Sequence, residues 1–342
     1  MPVMTREDLL AHTAIERGGR RFEFDAVPVA AVCVGDTVVS AWGDGCLRSL
    51  RPDTEPEVLP VHKAAILSLA AEASGAILTG GDDGRFCRST PQGVTDIAAF
   101  PRGWVDHVAA GAGGVHACSI GPAVHLWDAG RHQVLDHPST AGGLAFDRKG
   151  GRLAVAHYGG ATVWARERRG WKPTSFKWAG SHVGVTFSPD DRFLMTRMQE
   201  NALHGWRMRD KADLRMSGYP QKVKGWAWAG KLPHLATSGA DEAILWPFDG
   251  TAGPMGRGPL QLCWRGRGYV TAICALPGHA AVLAGFSSGA VIFSEITDTA
   301  EPRMVKRPTG AAIVALAVTP LSGWLFAADA DGAVLWAPLG AA

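Results

Sequence analysis

The sequence predicts an all-β fold, an eight-bladed β-propeller, and three observations support this prediction. Turn signals recur along the chain with a period of about forty residues. Each signal lies between short apolar runs of strand length, and helical periodicity is absent apart from a short turn expected at Arg6–His12. Such repeats are typical of four-stranded propeller blades. The aligned turn residues are Gly45, Gly84, Pro122, Gly160, Asn201, Glu242, Gly289 and Gly332.

The second repeat shows the order of strands within a repeat. Its four predicted strands are AILSLAA (65–71), AILTGG (76–81), RFCRS (85–89) and DIAAF (96–100). The turns EASG and DDG separate the first three strands, and a Pro-Gln-Gly break precedes the fourth. Residues 183–206 and 311–336 follow the same pattern. The alternative to eight blades is seven blades plus an extra hairpin unit.

The two ends of the chain are expected to meet in one blade. The last repeat supplies three strands, and RRFEFDA (20–26) forms a lone strand before the first repeat. If this strand completes the last blade, two strand edges that would invite aggregation are covered. We therefore predict a single propeller domain over residues 20–342, preceded by an N-terminal extension over residues 1–19.

Composition argues against several classes of protein. The formal net charge of +2 and the pI near 8.3 are too mild to favour a nucleic-acid partner. The six cysteines show no metal-ligand spacing, which favours a reducing compartment. No uncharged apolar run is long enough to span a membrane, and the N-terminus lacks a secretory signal. We expect a cytoplasmic protein that is monomeric by itself.

The repeats resemble those of the WD40 family from about residue 20 onward, in the style of its bacterial members. The matching pieces are GPAVHLWD (121–128), HYGGATVW (157–164), SGADEAILW (238–246) and DADGAVLW (329–336). The resemblance implies a β-propeller that binds partners on one face. It also implies a hydrogen-bonded set in each blade, made by a Trp of the third strand, a strand Ser or Thr, a turn Asp and a loop His.

The register of the tryptophans limits this second implication. Trp127 and Trp206 lie five residues after the aligned turn residue, which is the family's usual register. Trp164, Trp246 and Trp336 lie four residues after it, so they should point to the opposite sheet face unless a bulge intervenes. The hydrogen-bonded set is therefore expected in a minority of blades. His62, His137 and His182 precede the first strands of their repeats, where a bracing role is favoured.

The candidate partner-binding residues lie on one predicted face. With the strands of a repeat lettered a to d from the axis outward, the d–a loops and b–c turns emerge together. Aromatic and Arg residues in such loops are the types that dominate interface energetics. The His157–Tyr158 pair serves no evident backbone need in its turn. The candidates are Trp42, His62, Lys63, Arg102, Trp104, His157, Tyr158, His182, Gln199, Glu200, Tyr219, Lys222, Arg267, Tyr269, Phe286 and Arg307.

These residues favour a non-catalytic scaffold that binds another protein or a peptide. No catalytic residue, metal ligand or cofactor is predicted, and a GxSxG sequence at Gly285–Gly289 is interpreted as a hairpin turn. One alternative is a ligand-binding or catalytic propeller with a site at the central channel, where Asp106, His107 and Lys224 interrupt otherwise apolar inner strands. Another is an accessory or sensor subunit for a metal- or nucleotide-handling protein.

Overall fold

The computed structural model describes residues 12–264, 267–297, 299 and 301–340. The described chain contains 30 strands, one five-residue α-helix and one three-residue 3-10 turn, so the all-β prediction is confirmed. The fold is a β-propeller. The helical turn expected at Arg6–His12 lies, apart from His12, outside the described residues. Helix α1 (Ala14–Gly18) follows it, with Thr13 as the N-cap.

The strands of the described chain form seven sheets, so the prediction of eight blades is wrong. Six sheets have four strands and one has six. The fourth and fifth repeats share the six-stranded sheet, because strand structure continues through the expected turn near Gly160 (strand Arg152–Glu167) and through the loop before residue 183 (strand Gly170–Phe187). These two segments pair with each other, with Tyr158 opposite Ser181. The chain still reverses within the first of these strands, since the Arg166 amide donates to the Gly151 carbonyl over 2.8 Å. The alternative count of seven blades agrees with the structure. The extra unit of this alternative corresponds to the two strands by which the six-stranded sheet exceeds the others.

Three four-stranded sheets come first in the chain. Sheet 1 consists of β2 (Pro28–Val34), β3 (Thr37–Trp42), β4 (Cys46–Leu50) and β5 (Glu57–Pro60). Sheet 2 consists of β6 (Ile66–Ala71), β7 (Ile77–Gly81), β8 (Arg85–Thr90) and β9 (Gly93–Ala99). Sheet 3 consists of β10 (His107–Ala110), β11 (His116–Ile120), β12 (Ala123–Asp128) and β13 (Arg131–Asp136), with the 3-10 turn at Ala112–Gly114.

The remaining sheets follow in chain order. Sheet 4 consists of β14 (Gly143–Phe146), β15 (Arg152–Glu167), β16 (Gly170–Phe187), β17 (Phe193–Met198), β18 (Leu203–Arg207) and β19 (Asp213–Met216). Sheet 5 consists of β20 (Trp226–Ala229), β21 (His234–Thr237), β22 (Ala243–Pro247) and β23 (Leu260–Leu262). Sheet 6 consists of β24 (Val270–Ala275), β25 (Ala281–Phe286), β26 (Val291–Glu295) and β27 (Arg303–Lys306).

Sheet 7 joins the N-terminal strand to the last three strands. It consists of β28 (Ile313–Val318), β29 (Trp324–Asp329), β30 (Ala333–Pro338) and β1 (Arg20–Glu23). β1 runs antiparallel to β30, with Phe22 opposite Val334. The predicted completion of the last blade by the N-terminal strand is therefore confirmed. The segment before β1 is also held in place, because the Thr13 hydroxyl donates to the Val305 carbonyl over 2.6 Å.

The chain divides into two compact units. Unit A comprises the described parts of residues 1–40, 49–57 and 219–342, and unit B comprises residues 41–48 and 58–218. In unit B, Phe86 of sheet 2 is buried in one cluster with Cys118 of sheet 3. In unit A, Leu283 of sheet 6 is buried with Leu325 of sheet 7. Within each unit, neighbouring sheets therefore bury each other's apolar faces.

The tight turns need glycine for two separate reasons. Gly84 connects β7 to β8 with φ +75°, in the left-handed region that side chains with a Cβ rarely adopt. A methyl group there would also overlap the carbonyl oxygen of Phe100. Gly278 has the same φ of +75° but has no neighbouring atom within 4 Å of an added Cβ. Gly84 therefore combines backbone strain with a close contact, whereas Gly278 shows backbone strain alone.

We predict that Gly84→Ala lowers the thermal unfolding midpoint much more than Gly278→Ala does. Both substitutions carry a left-handed backbone cost of about 1–2 kcal/mol. Only Gly84→Ala adds a steric overlap, which we expect to cost about 1–3 kcal/mol more. Differential scanning calorimetry of the two variants tests this difference. Equal midpoints for the two variants would show that the turn and the loop at Phe100 do not pack as described.

Candidate interaction surface

The b–c turns and d–a loops meet at the same strand ends in both units. In unit B, the Phe100 amide donates to the Gly84 carbonyl over 2.8 Å, and the Val105 amide donates to the Gly81 carbonyl over 3.0 Å. In unit A, the Ser287 amide donates to the Tyr269 carbonyl over 2.8 Å. We call the surface formed by these turns and loops the loop face of each unit.

The candidate residues divide by burial. Those buried in the structure are Trp42, His62, His157, His182, Tyr219 and Phe286. Those exposed on the loop face are Lys63, Arg102, Trp104, Tyr158, Gln199, Glu200, Arg267 and Tyr269. Lys222 and Arg307 are half-buried. The buried side chains shape the loops but do not offer contact area to a partner.

His62 braces a loop to a strand and a turn. Its Nε2 lies 2.8 Å from the Thr79 hydroxyl in β7, and its Nδ1 lies 2.9 Å from a carboxylate oxygen of Asp83. The second carboxylate oxygen of Asp83 accepts a hydrogen bond from the Lys63 amide. This arrangement matches the strand Thr, turn Asp and loop His that the WD40 resemblance implies. The favoured bracing role of His62 is confirmed.

His182 and His157 form similar braces in sheet 4. The Nδ1 of His182 lies 2.8 Å from the Thr196 hydroxyl, and burial lowers the pKa of this imidazole. The Nε2 of His157 lies 2.9 Å from the Thr162 hydroxyl, and its Nδ1 lies 2.9 Å from the carbonyl oxygen of Tyr158. The interpretation that His157 meets no backbone need is therefore wrong, because it holds the irregular backbone at residue 158.

The tryptophan register differs from the prediction. Trp164 Nε1 donates to His137 Nε2 over 3.0 Å, although its register was expected to turn it away from such a partner. Trp246 Nε1 donates to the Tyr219 hydroxyl over 2.7 Å, and this hydroxyl lies 2.7 Å from that of Thr237. Tyr219 thus occupies the bracing role of a loop His, and burial raises its pKa to about 12.

Trp127 and Trp206, placed in the usual register by the sequence, pack against imidazoles. Trp127 stacks on His132 with ring centroids 4.7 Å apart. Trp206 lies 5.8 Å from His182 and 4.7 Å from His204. The register expected for Trp164, in contrast, allowed for a bulge, and its strand has one between Tyr158 and Gly160.

Trp104 and Tyr158 are the most exposed aromatic candidates, with 64% and 67% of their surface accessible. Both stand on anchored backbone. Hydrogen bonds from Gly103 and Val105 flank Trp104, and the Tyr158 amide donates to the Ser139 hydroxyl over 2.9 Å. Tyr269 in unit A is 41% exposed, and its amide donates to the Ser287 hydroxyl. Each unit therefore presents an aromatic side chain on a fixed loop.

Sequence reasoning missed one exposed apolar residue of the loop face. Val27 follows β1 and is 57% exposed. The backbone before it packs on the turn of sheet 7, where the Phe24 amide donates to the Gly332 carbonyl. The signal that could have identified Val27 was its position directly after the predicted N-terminal strand, in the place of a d–a loop.

The three polar residues predicted at the inner strands lie in different units, with Asp106 and His107 in unit B and Lys224 in unit A. In unit B, burial lowers the pKa of His107 to about 4, with a further contribution from the positive charge of Arg197. Burial also raises the pKa of Asp106. In unit A, Lys224 lines a cavity of about 540 Å³ whose walls are otherwise formed mainly by small and apolar residues such as Ala272 and Ile313. Burial and the charge of Arg197 thus keep His107 neutral at physiological pH.

Other predicted chemical groups are accounted for locally. The GxSxG sequence ends β25 and turns into β26, so the hairpin interpretation is confirmed. All six cysteines are free thiols. Within the described ranges, no group of three or more His, Cys, Asp or Glu side chains could hold a metal ion. None of the described helices is long and apolar enough to cross a membrane.

Comparison with known proteins shows the fold. No family model and no curated protein matches the chain. Among solved structures, it is similar to the computationally designed Ika8 protein, with 14% identity and a TM-score of 0.73 over 93% of this chain and 98% of that chain. It is also similar to U3-55K, with 14% identity and a TM-score of 0.59 over 94% of this chain and 99% of that chain. At this identity the likeness supports the β-propeller fold alone.

His204 differs from the bracing histidines because neither of its ring nitrogens has a hydrogen-bond partner among the described residues. The side chain is fully buried and stacks on Trp178 with ring centroids 3.9 Å apart. Burial, with a contribution from His182, lowers the pKa of His204 from 6.5 to about 4. Between these two values the unfolded chain binds a proton that the folded chain does not. Stability therefore falls as the pH falls through this window.

We predict that His204→Phe leaves stability at pH 7.5 unchanged or higher and reduces the loss of stability between pH 6.5 and 4. Phe keeps the stacking on Trp178 and removes two unsatisfied polar atoms. The pH-dependent contribution that disappears is on the order of 3 kcal/mol. Urea unfolding across the pH range measures it. His204→Ala is the control, since its cavity should destabilise the fold at every pH. An unchanged pH dependence in His204→Phe would contradict the assignment.

Proposed function

We propose that the chain is a non-catalytic, WD40-like scaffold that binds a protein or peptide through its loop face. The observation that carries this proposal is the exposure of Trp104 and Tyr158 in unit B on hydrogen-bonded loops. Large aromatic side chains dominate the energetics of protein interfaces. A soluble protein gains no stability from leaving such side chains in water, so a partner that covers them is the simplest reason for their position.

The loops carrying these aromatic residues are already ordered before a partner binds. Trp104 lies between two hydrogen-bonded neighbours, and the backbone of Tyr158 pairs with Ser181. Binding to ordered loops costs less conformational entropy than binding to flexible ones. The buried side chains of His62 and His157 stabilise the loop face through hydrogen bonds to Thr79 and Thr162. The buried candidates thus contribute to the interface by positioning the exposed ones.

Charged residues on the same face favour a polar rim around the aromatic anchors. Lys63 and Arg102 are exposed in the d–a loops of unit B, and Glu200 is exposed in a b–c turn. An apolar or aromatic centre with a charged rim is the usual anatomy of a specific protein interface. The mixed signs of these charges suit a folded protein or a mixed-charge peptide better than a polyanion.

We also propose that the protein has no catalytic activity of its own and acts in the cytoplasm. We base this on Asp106 and His107, whose pKa values are shifted chiefly by burial. The six free thiols support a reducing compartment. We therefore interpret the accessory or sensor role as a form of the same scaffold function, in which the partner supplies the chemistry.

We predict that Trp104→Ala combined with Tyr158→Ala abolishes recovery of the partner while leaving the thermal midpoint within about 1 °C of wild type, because exposed substitutions change stability little. Affinity purification from the native cell followed by mass spectrometry measures the recovery. The matched control is Leu321→Ala combined with Leu232→Ala, since both leucines are exposed, by 83% and 64%, in a–b turns away from the loop face. Recovery that is lost in the control and kept in the aromatic variant would assign the interface to the opposite ends of the sheets.

A further inference from the structure

Two histidines of sheet 3 lie side by side at the protein surface. His125 is in β12 and His132 is in β13, the two outer strands of the sheet. The Nδ1 of His125 lies 3.0 Å from the Nε2 of His132. Their ring planes differ by 11°, and the ring centroids are 5.2 Å apart. The two imidazoles therefore meet edge to edge through one nitrogen atom each.

A tight hairpin fixes this arrangement. β12 and β13 are joined by Ala129 and Gly130, which both have positive φ, and Asp128 lies opposite Arg131. In this register Trp127 lies opposite His132, so His125 is the diagonal neighbour of His132 on the same sheet face. The seven-residue separation follows from the hairpin. For this reason a search for short His-x-His or His-x-x-x-His spacing does not find the pair.

Aromatic side chains hold both rings. Phe100 packs edge-on against His125 at 4.6 Å between centroids, and Trp127 stacks on His132 at 4.7 Å. Trp127 in turn packs against Phe86, which is fully buried. His132 is exposed on the opposite side. The pair is thus supported by aromatic contacts on the protein side and open to solvent on the other.

One carboxylate lies near the histidine pair. Asp136 lies four residues after His132 in β13 and is exposed, on the same strand face. Its negative charge is close enough to act on His125. A cation beside the pair would therefore meet two imidazoles and a nearby carboxylate charge.

We propose that His125 and His132 form a binding site for a divalent transition-metal ion, with Cu²⁺ preferred over Ni²⁺ and Zn²⁺. Imidazole suits these ions, and affinity for nitrogen ligands is highest for Cu²⁺. With metal–nitrogen bonds of about 2.0 Å, two neighbouring ligand nitrogens are separated by about 2.8–3.3 Å. The observed 3.0 Å is within this range.

Binding requires both imidazole rings to rotate within their aromatic contacts. The rings turn so that both facing lone pairs point at the ion, which takes two adjacent coordination positions. The hydrogen atom between the rings moves through solvent to the other nitrogen of the same imidazole. That position is free, because the outer nitrogens of both rings have no hydrogen-bond partner among the described residues. When both rings start as neutral imidazoles, the ion binds without net release of a proton, and water or a second ligand fills the other positions.

The test uses the full chain and Cu²⁺–iminodiacetate, a probe whose chelator occupies three positions and leaves adjacent ones open. Titration is followed by calorimetry, and electron paramagnetic resonance reports the number of imidazole nitrogens on Cu²⁺. We expect one bound probe with two nitrogens. His132→Ala and His125→Ala should each weaken binding at least about tenfold, because either change destroys the chelate.

His279→Ala is the matched control, since His279 is also exposed but has no hydrogen bond or ring contact with another histidine among the described residues. It should bind the probe as wild type does. Circular dichroism melting confirms that each variant folds, and His132→Ala is the more conservative change because its side chain is exposed. Binding with a single coordinated nitrogen, or binding unchanged in His132→Ala, would overturn the proposal. Absence of binding in the wild-type chain would overturn it as well.

Discussion

Burial of both faces of each short sheet is the constraint on which the structure depends. The second strands show it most clearly, since β7 and β25 are buried at every position. A sheet covered on both faces has nearly continuous apolar strands rather than alternating ones. Burying one large apolar side chain contributes about 1.5–3 kcal/mol, so these strands tolerate polar residues mainly at their ends. Recognition chemistry is thereby left to the turns, the loops and the exposed face of outer strands.

Polar groups that enter the sheet ends must be satisfied by hydrogen bonds. The pairs formed by His62 with Thr79 and by His182 with Thr196 meet this need. A buried polar atom that lacks its partner costs about 1–3 kcal/mol. This cost makes each brace specific, because a loop that shifts away from its strand leaves both partners unsatisfied. The same contacts that stabilise the sheet ends therefore also fix the shape of the loop face.

The sequence predicted the features that depend on local chemistry. Turn glycines such as Gly84, the apolar second strands and the pairing of the N-terminal strand all follow from spacing and residue type. The number of sheets did not follow, because the repeat period does not reveal that β15 and β16 continue through an expected turn and an expected loop. The sheet face of Trp164 could not be fixed by counting, since it depended on a bulge, and the one between Tyr158 and Gly160 reverses the alternation of side chains.

Exposure of a candidate residue was the least predictable property. Trp42 and Trp104 have the same residue type and similar loop positions, yet Trp42 is fully buried and Trp104 is 64% exposed. The difference arises from the neighbours, because the guanidinium of Arg48 lies over the Trp42 ring at 4.8 Å and belongs to an ion pair with Asp44. Such tertiary packing is not encoded in the spacing of one repeat. It can be recognised only when the neighbouring strands are placed together.

Exposure alone does not make a binding site. An exposed group is a better candidate when the surrounding structure holds it in a fixed geometry. Leu321 is more exposed than Trp104, but a single apolar side chain in a polar turn is common on protein surfaces. Trp104 and Tyr158 differ because their backbones are hydrogen-bonded on the loop face. His125 and His132 differ in the same way, because a two-residue hairpin and stacked aromatic rings set the distance between their nitrogens. In both cases the apolar sheet supplies a rigid support, and the few polar or aromatic groups at its margin acquire a defined geometry from it.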